Sequence, residues 1–213
     1  LKASWGGGGR GMRVIENEAD LDAALDVARR EAAAARGNDA VYLEKLVRRA
    51  RHVEVQIICD KRGNALHLFV RDCSVSRRNQ KVVERAPAPY LDEATRQDLC
   101  ESALRLARAV NYTHAGTVEF LMDADSGKFY FMEANPRIQV EHTVTEQVTG
   151  VDLLHTQLKL AAGQTLVDLG LLQPPALNGC AVQLRINLES MNADGSTRPA
   201  AGTLTAYQPP SGP

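Results

Sequence analysis

Glu133, Asn135, Arg137, Gln139 and Glu141 stand at alternate positions and carry side chains suited to holding a divalent cation beside an oxyanion. In an extended chain, residues two apart point to the same side. Glu133 and Asn135 therefore share one edge, and Arg137, Gln139 and Glu141 join them if extension continues. Two oxygen ligands suit Mg²⁺, and a fixed guanidinium suits an oxyanion. The segment alone leaves open a plainer reading, a polar strand end running into a surface loop. A further carboxylate comes from the preceding strand. Thr117 to Met122 reads as extended, residues 123–128 as a turn, and Phe129 to Met132 as the returning strand, which brings Glu119 near Glu133. The Asp-x-Asp-Ser-Gly of that turn invites a calcium-loop reading. It fails because the twelfth-position glutamate is missing and the flanks are strands rather than helices.

Three other stretches carry polar groups in positions where packing alone would not put them. Gly6, Gly7, Gly8, Gly9, Arg10 and Gly11 follow Lys2 and precede Met12-Arg13-Val14-Ile15, which reads as a short strand. Glycine N–H groups can cover phosphates. Neither a Walker lysine nor a Rossmann glycine pattern follows, so the expectation is a hairpin flap, with a flexible linker as the alternative. Ala40 to Val47 reads as a strand containing Glu44 and Lys45, either an exposed edge or a reader of a polar ligand. The run from Arg71 to Glu84 lies between strands and is dense in cations and amides, with Arg77, Arg78 and Lys81 open to phosphate or carboxylate binding. It lacks the interleaved aromatics of a nucleic-acid surface. Cys73 within it reads as a buried thiol. Arg185, flanked by Leu184 and Ile186, is an edge residue or a placed cation.

Composition is that of an ordinary globular chain: 213 residues, 44% hydrophobic, 24% charged, formal net charge −1. That balance gives no basic field for nucleic acid or a membrane surface. No apolar run has the length of a membrane span, and the first residues lack a signal-peptide layout. Four scattered cysteines point to a reduced, cytoplasmic setting. Both ends read as cut from a longer polypeptide. The supporting elements are a helix over residues 18–36 capped by Asn17 and closed by Gly37, and a hairpin of His52 to Cys59 with Ala65 to Val70. A helix capped by Asp92 runs to about Val110, two short helices flank Gly150, and strands cover residues 180–187 and 202–207.

Lys2-Ala3-Ser4 with the glycine loop, Arg71-Asp72-Cys73-Ser74, Arg77 to Glu84, and Glu133 to His142, in that order, make the chain from Lys2 to about Tyr207 resemble the biotin carboxylase component of biotin-dependent carboxylases. The resemblance implies an α+β, ATP-grasp fold: the lid subdomain over residues 1–45, then the first half of the C-terminal antiparallel-sheet domain over 46–213. It implies ATP, Mg²⁺ or Mn²⁺, bicarbonate, and biotin on a carrier domain. Carrier and carboxyltransferase domains on the same polypeptide would be the partners, in a parent that is a homo-oligomer. Residue by residue, it implies that Lys2 contacts ATP and that Gly6, Gly7, Gly8, Gly9 and Gly11 cover its phosphates. Glu44, Lys45 and the Val47 backbone meet the adenine, His52 lies near the ribose, and Asn79 stands where some members have histidine. Lys81 contacts phosphate; Glu119, Glu133 and Asn135 bind the metal; Arg137, Gln139 and the Val140 backbone hold bicarbonate. Glu141 is the base that deprotonates it, and Arg185 stabilises enolised biotin. The family usually has glutamine at Ser76, and its segment after Arg185 differs from residues 187–197. The family's N-terminal domain and an ATP lysine before the lid lie outside this chain, so the isolated chain is expected to have little carboxylase activity.

Overall fold

The computed structural model describes residues 1–4, 12–77 and 80–208. The predicted flap glycines, Gly6 to Gly11, and Asn79 lie outside the described residues. A two-residue strand, β1 (Lys2–Ala3), pairs with β2 (Val41–Tyr42), and helix α1 (Leu21–Arg36) packs beside them. The strands of the main sheet are β3 (Ala50–Cys59), β4 (Ala65–Arg77), β5 (Gln80–Ala86), β6 (His114–Asp123), β7 (Phe129–Asn135) and β8 (Ala181–Leu184). They form one antiparallel sheet in the order β7-β6-β3-β4-β5-β8. Helix α2 (Glu93–Ala109) joins β5 to β6; α3 (His142–Thr149) and α4 (Leu153–Ala161) follow β7. The last elements, β9 (Glu189–Met191) and β10 (Thr197–Pro199), pair with each other.

The two faces of the sheet are buried differently. Val53, Val55, Ile57, Val70, Val118, Phe120 and Met122 pack against Leu99, Ala103, Leu104 and Ala107 of α2 in one core. The opposite face is apolar at one end, where Ile58, Leu66, Leu68 and Ala115 meet Leu153 and Leu160 of α4 and Leu166. Further along, that same face turns polar: Glu54, Gln56, Arg71, Thr117 and Glu119 are all buried there. Asp92 caps α2 as its type predicts, accepting from the Thr95 N–H at 2.7 Å.

Several expectations are corrected. Met12 to Ile15 is not a strand; instead Leu1 and Arg13 exchange two backbone bonds of 2.8 and 3.0 Å. The strand over 40–47 shrinks to β2, because β1 offers only two residues of ladder, and Glu44 to Leu46 is exposed. Asn17 does not cap α1; a 3₁₀ turn (Glu18–Asp20) precedes it, and Gly37 closes it in the left-handed region at φ 69°. The run from Arg71 is not a loop: β4 continues to Arg77 and β5 opens at Gln80, since cross-strand partners neutralise its charges. Extension does not carry to Glu141; β7 ends at Asn135 and Pro136 follows. Residues 202–207 form no strand, and the strand over 180–187 is only Ala181–Leu184.

Asp60 ties the β3–β4 turn to the α4 side. It is 3% exposed. Its carboxylate accepts from the N–H groups of Arg62, Asn64 and Leu166 and from the Asn64 amide, all at 2.8–3.0 Å. Replacing Asp60 with Ala strands these donors, and the loss of unfolding free energy is expected to be roughly 3 kcal/mol, read from the urea midpoint. A loss below about 1 kcal/mol would show that water replaces the carboxylate without penalty.

Candidate active site

The polar half of the sheet face gathers Glu54 (β3), Arg71 (β4), Lys81 and Glu84 (β5), Glu119 (β6), Glu133 and Asn135 (β7), Glu141 and Arg185. One-residue bulges aim them. Glu119 pairs with Glu133 while Phe120 pairs with Phe131, so the extra residue, Met132, moves Glu133 opposite Glu119. On β4 the register slips between Val70 and His67, and Phe69 takes φ 64°. Leu66 and Leu68 consequently face α4, Val70 faces α2, and Arg71 returns to the polar face.

Lys81 is the centre. Its Nζ donates to Glu54 Oε2 at 2.5 Å, Glu119 Oε1 at 2.9 Å and Glu141 Oε1 at 2.6 Å. Burial disfavours the ammonium, but Glu54, Glu119 and Glu141 outweigh it and hold it well above the usual lysine value. Arg185 Nη2 donates to Glu141 Oε2 at 2.9 Å, and its Nε donates to Glu84. Glu141 is 2% exposed and lies at the N-cap of α3. Burial raises the Glu84 carboxyl despite Arg185.

Glu119 Oε1 also accepts from Asn135 Nδ2 at 2.9 Å and Gln139 Nε2 at 2.8 Å; His52 Nε2 lies 2.6 Å from its Oε2. Burial alone would raise the Glu119 carboxyl, but the close approach of His52, the charge of Lys81 and the Gln139 bond bring it down to about 2. A carboxyl lowered from an ordinary 4.5 to about 2 contributes its stability in full above pH 4.5 and loses it as pH falls toward 2. Glu54 and Asp72 are lowered too and act the same way, while Glu84 opposes them. The urea midpoint is expected to fall steadily from pH 5 to pH 3, with a shallower slope in Glu119→Gln; equal slopes would remove Glu119 from the account.

The donor set beside Glu119 suits a hard divalent cation. Glu133 is half-buried, with Asn135 Nδ2 at 3.3 Å on its Oε1, and the Gln139 Oε1 is buried without a hydrogen-bond partner among the described residues. These are hard oxygen donors beside two opposed carboxylates, and they fit Mg²⁺ or Mn²⁺. His52, Glu54 and Glu119 also bring ligand atoms within 4.8 Å of one another. Cys73 is fully buried, and burial pushes its thiol up, which suits the inert role expected of it.

The remaining predicted residues are placed around this centre. Arg137 is exposed, with Asn135 Oδ1 at 3.5 Å, and Val140 is exposed. Lys2 Nζ reaches Glu44 at 3.3 Å, Lys45 reaches Tyr130 OH at 3.2 Å, and Val47 is half-buried. Glu54, Arg71 and Glu84 had no predicted role. Arg71 is fully buried and donates to Glu54 at 2.7 Å, Gln56 at 2.6 Å, Thr145 at 3.0 Å and Thr117 at 3.1 Å. The available signal was Glu54 and Gln56 alternating with valine in β3, which sequence alone cannot tell from a wet face.

Residues 1–169 match the family described as carbamoyl-phosphate synthase L chain, ATP binding domain. The chain is 50% identical to a biotin carboxylase of Nostoc sp. over 100% of its length and 46% of the relative's. It is 49% identical to human mitochondrial pyruvate carboxylase, over 98% of this chain and 18% of that one. It therefore spans less than half of each curated relative. The biotin carboxylase domain of Hydrogenobacter thermophilus 2-oxoglutarate carboxylase, solved with MgADP, ADP and bicarbonate, superposes with a TM-score of 0.79 at 43% identity, over 88% of this chain and 41% of that one. Among the described residues no helix is long and apolar enough to cross a membrane.

Proposed function

This chain belongs to the family of carbamoyl-phosphate synthase L chain ATP-binding domains and has the ATP-grasp fold, and from that premise we propose that it is part of a biotin carboxylase that uses ATP and bicarbonate to carboxylate biotin on a carrier domain. One observation carries the reading: Glu141 is gripped between Lys81 and Arg185, beside the opposed carboxylates of Glu119 and Glu133. In this reading Glu141 accepts the bicarbonate proton, since bicarbonate attacks phosphorus poorly until it is deprotonated. The bicarbonate oxygen then bonds to the γ-phosphorus, the bond to the bridging oxygen of ADP breaks, and carboxyphosphate forms. Its breakdown yields CO₂ and phosphate beside biotin; the phosphate takes the ureido N–H proton, and that nitrogen bonds to the CO₂ carbon. Arg137, Gln139 and the Val140 backbone hold the bicarbonate, and Lys81 meets the transferring phosphoryl oxygens. Arg185 balances the negative ureido oxygen of enolised biotin.

Glu119, Glu133 and Asn135 would hold Mg²⁺ or Mn²⁺, which when bound neutralises phosphate charge. Residues 1–45 act as the lid, with the glycine loop over the phosphates. Lys2, Glu44, Lys45, Val47 and His52 serve the nucleotide, as does Asn79. The 46–213 segment supplies the catalytic sheet. The parent is a multidomain, homo-oligomeric carboxylase of the acyl-CoA or pyruvate type, with carrier and carboxyltransferase domains; the match to a pyruvate carboxylase supports the pyruvate type. Four free cysteines support a reducing, cytoplasmic setting.

The test is ADP release by the parent-length protein with Mg²⁺ and bicarbonate, with and without free biotin. Release stimulated by biotin is expected. Bicarbonate-dependent release indifferent to biotin would instead assign the site to another ATP-grasp carboxylate ligase.

A further inference from the structure

The bonding around Lys81 conflicts with the role just given to it. An ammonium has three donors, and all three are spent on Glu54, Glu119 and Glu141. None remains for a phosphate oxygen. Glu141 is equally occupied: one oxygen faces Lys81 and the other faces Arg185. Each contact has to be given up before that oxygen can meet the proton of a bicarbonate. Glu119 Oε1 accepts from Lys81, Asn135 and Gln139 together, which leaves no free lone pair for a metal. Proton acceptance at Glu141 Oε1 and metal ligation through Glu119 Oε1 cannot begin from this arrangement unless Lys81 moves.

We propose that Lys81 is a place-holding cation: it occupies a seat formed by Glu54, Glu119 and Glu141, masking Oε1 of the metal ligand Glu119 and one oxygen of the base, and it yields that seat when the metal and phosphate arrive. This rests on the reading of Glu119 as metal ligand and Glu141 as base. The burial of three carboxylates on one sheet face explains why a stand-in is needed. Arg71 balances Glu54 from behind and Arg185 balances Glu141 from the side, but Glu119 has only Lys81 and His52. An emptied seat would leave like charges facing each other in a poorly hydrated site. The consequence is an ordering of events. Glu141 becomes a competent base only after the nucleotide phosphates have drawn Lys81 away, so bicarbonate is not activated in a site without ATP.

The test uses Mn²⁺ alone, with its affinity for the parent-length protein read by electron paramagnetic resonance without nucleotide or biotin. Lys81→Gln is expected to bind Mn²⁺ roughly tenfold more tightly than the wild type, because a competing charge has left the ligand. Arg185→Gln, which removes a cation that touches Glu141 but not Glu119, is expected to gain much less. Unchanged or weaker binding in a folded Lys81→Gln protein would overturn the proposal, and so would an equal gain in Arg185→Gln. So would undiminished Mn²⁺ binding in Glu119→Gln. If Lys81→Gln does not fold, the wild type answers instead through reductive methylation of Lys81 followed by mass spectrometry. Labelling should rise severalfold at saturating Mn²⁺, and an unchanged rate would overturn the displacement. None of these readouts uses biotin or ATP turnover, so a failure of the carboxylase reading would leave them interpretable.

Discussion

Glu141→Gln is expected to lower biotin-stimulated ADP release by the parent-length enzyme about 10²- to 10⁴-fold, the usual contribution of a positioned base. The amide keeps the size and planarity of the carboxylate but cannot take a proton. It still offers an oxygen to either Lys81 Nζ or Arg185 Nη2, which now sit 2.6 and 2.9 Å from the two carboxylate oxygens. The fold should therefore survive, as far-UV circular dichroism and the melting temperature can verify. The loss should fall on kcat, with KM for ATP changing only a few-fold, since Glu141 touches neither Lys2 nor Glu44. Retention of more than a tenth of the wild-type rate would remove Glu141 as the base. A loss confined to KM for ATP would recast it as a binding residue.

Arg71→Met is expected to remove about 3–5 kcal/mol of stability, the cost of taking one partner from a buried charged pair. Arg71 has no exposed surface and bridges β3, β6 and α3 through four side chains. Its loss leaves Gln56, Thr117 and Thr145 without that donor and leaves the buried Glu54 with Lys81 as its main counter-charge. A domain holds only about 5–15 kcal/mol in total, so a measurable unfolded fraction is expected even without denaturant. Thr145→Val, which breaks only the tie to α3, should cost about 1 kcal/mol. Urea unfolding of the two variants makes the comparison. A loss below about 1 kcal/mol for Arg71→Met would mean that the methionine packs as well as the network it replaces.

Some of this was legible because it is local. Asp92 before an apolar periodic run predicts the start of α2, and the cap bond is there. Gly37 and Gly150 close α1 and α3 in the left-handed region, where a residue without Cβ is unstrained. The turn between β6 and β7 follows from the turn-forming residues 123–127, and it delivers Glu119 beside Glu133. The motif runs from Arg71 and Glu133 carried the chemistry in their residue types, and those types were enough to indicate the family.

Strand ends and the hidden half of the site were not legible. Ala40 to Val47 has strand composition, yet extended structure needs a ladder partner, and β1 supplies two residues of one. Arg71 to Arg77 looks like a loop because charge in a strand is unfavourable until counter-charges face it, and those come from β3, β5 and β9. The sequence by itself determined which groups are available: the carboxylates, the amides, Lys81 and Arg185. Only the tertiary structure decided which of them meet. A single extra residue at Phe69 turns Arg71 toward Glu54, and another at Met132 turns Glu133 toward Glu119. The side-chain period of a strand is two, so a one-residue bulge exchanges the faces of everything beyond it. Where such a bulge falls depends on register with strands distant in sequence, which no local pattern records.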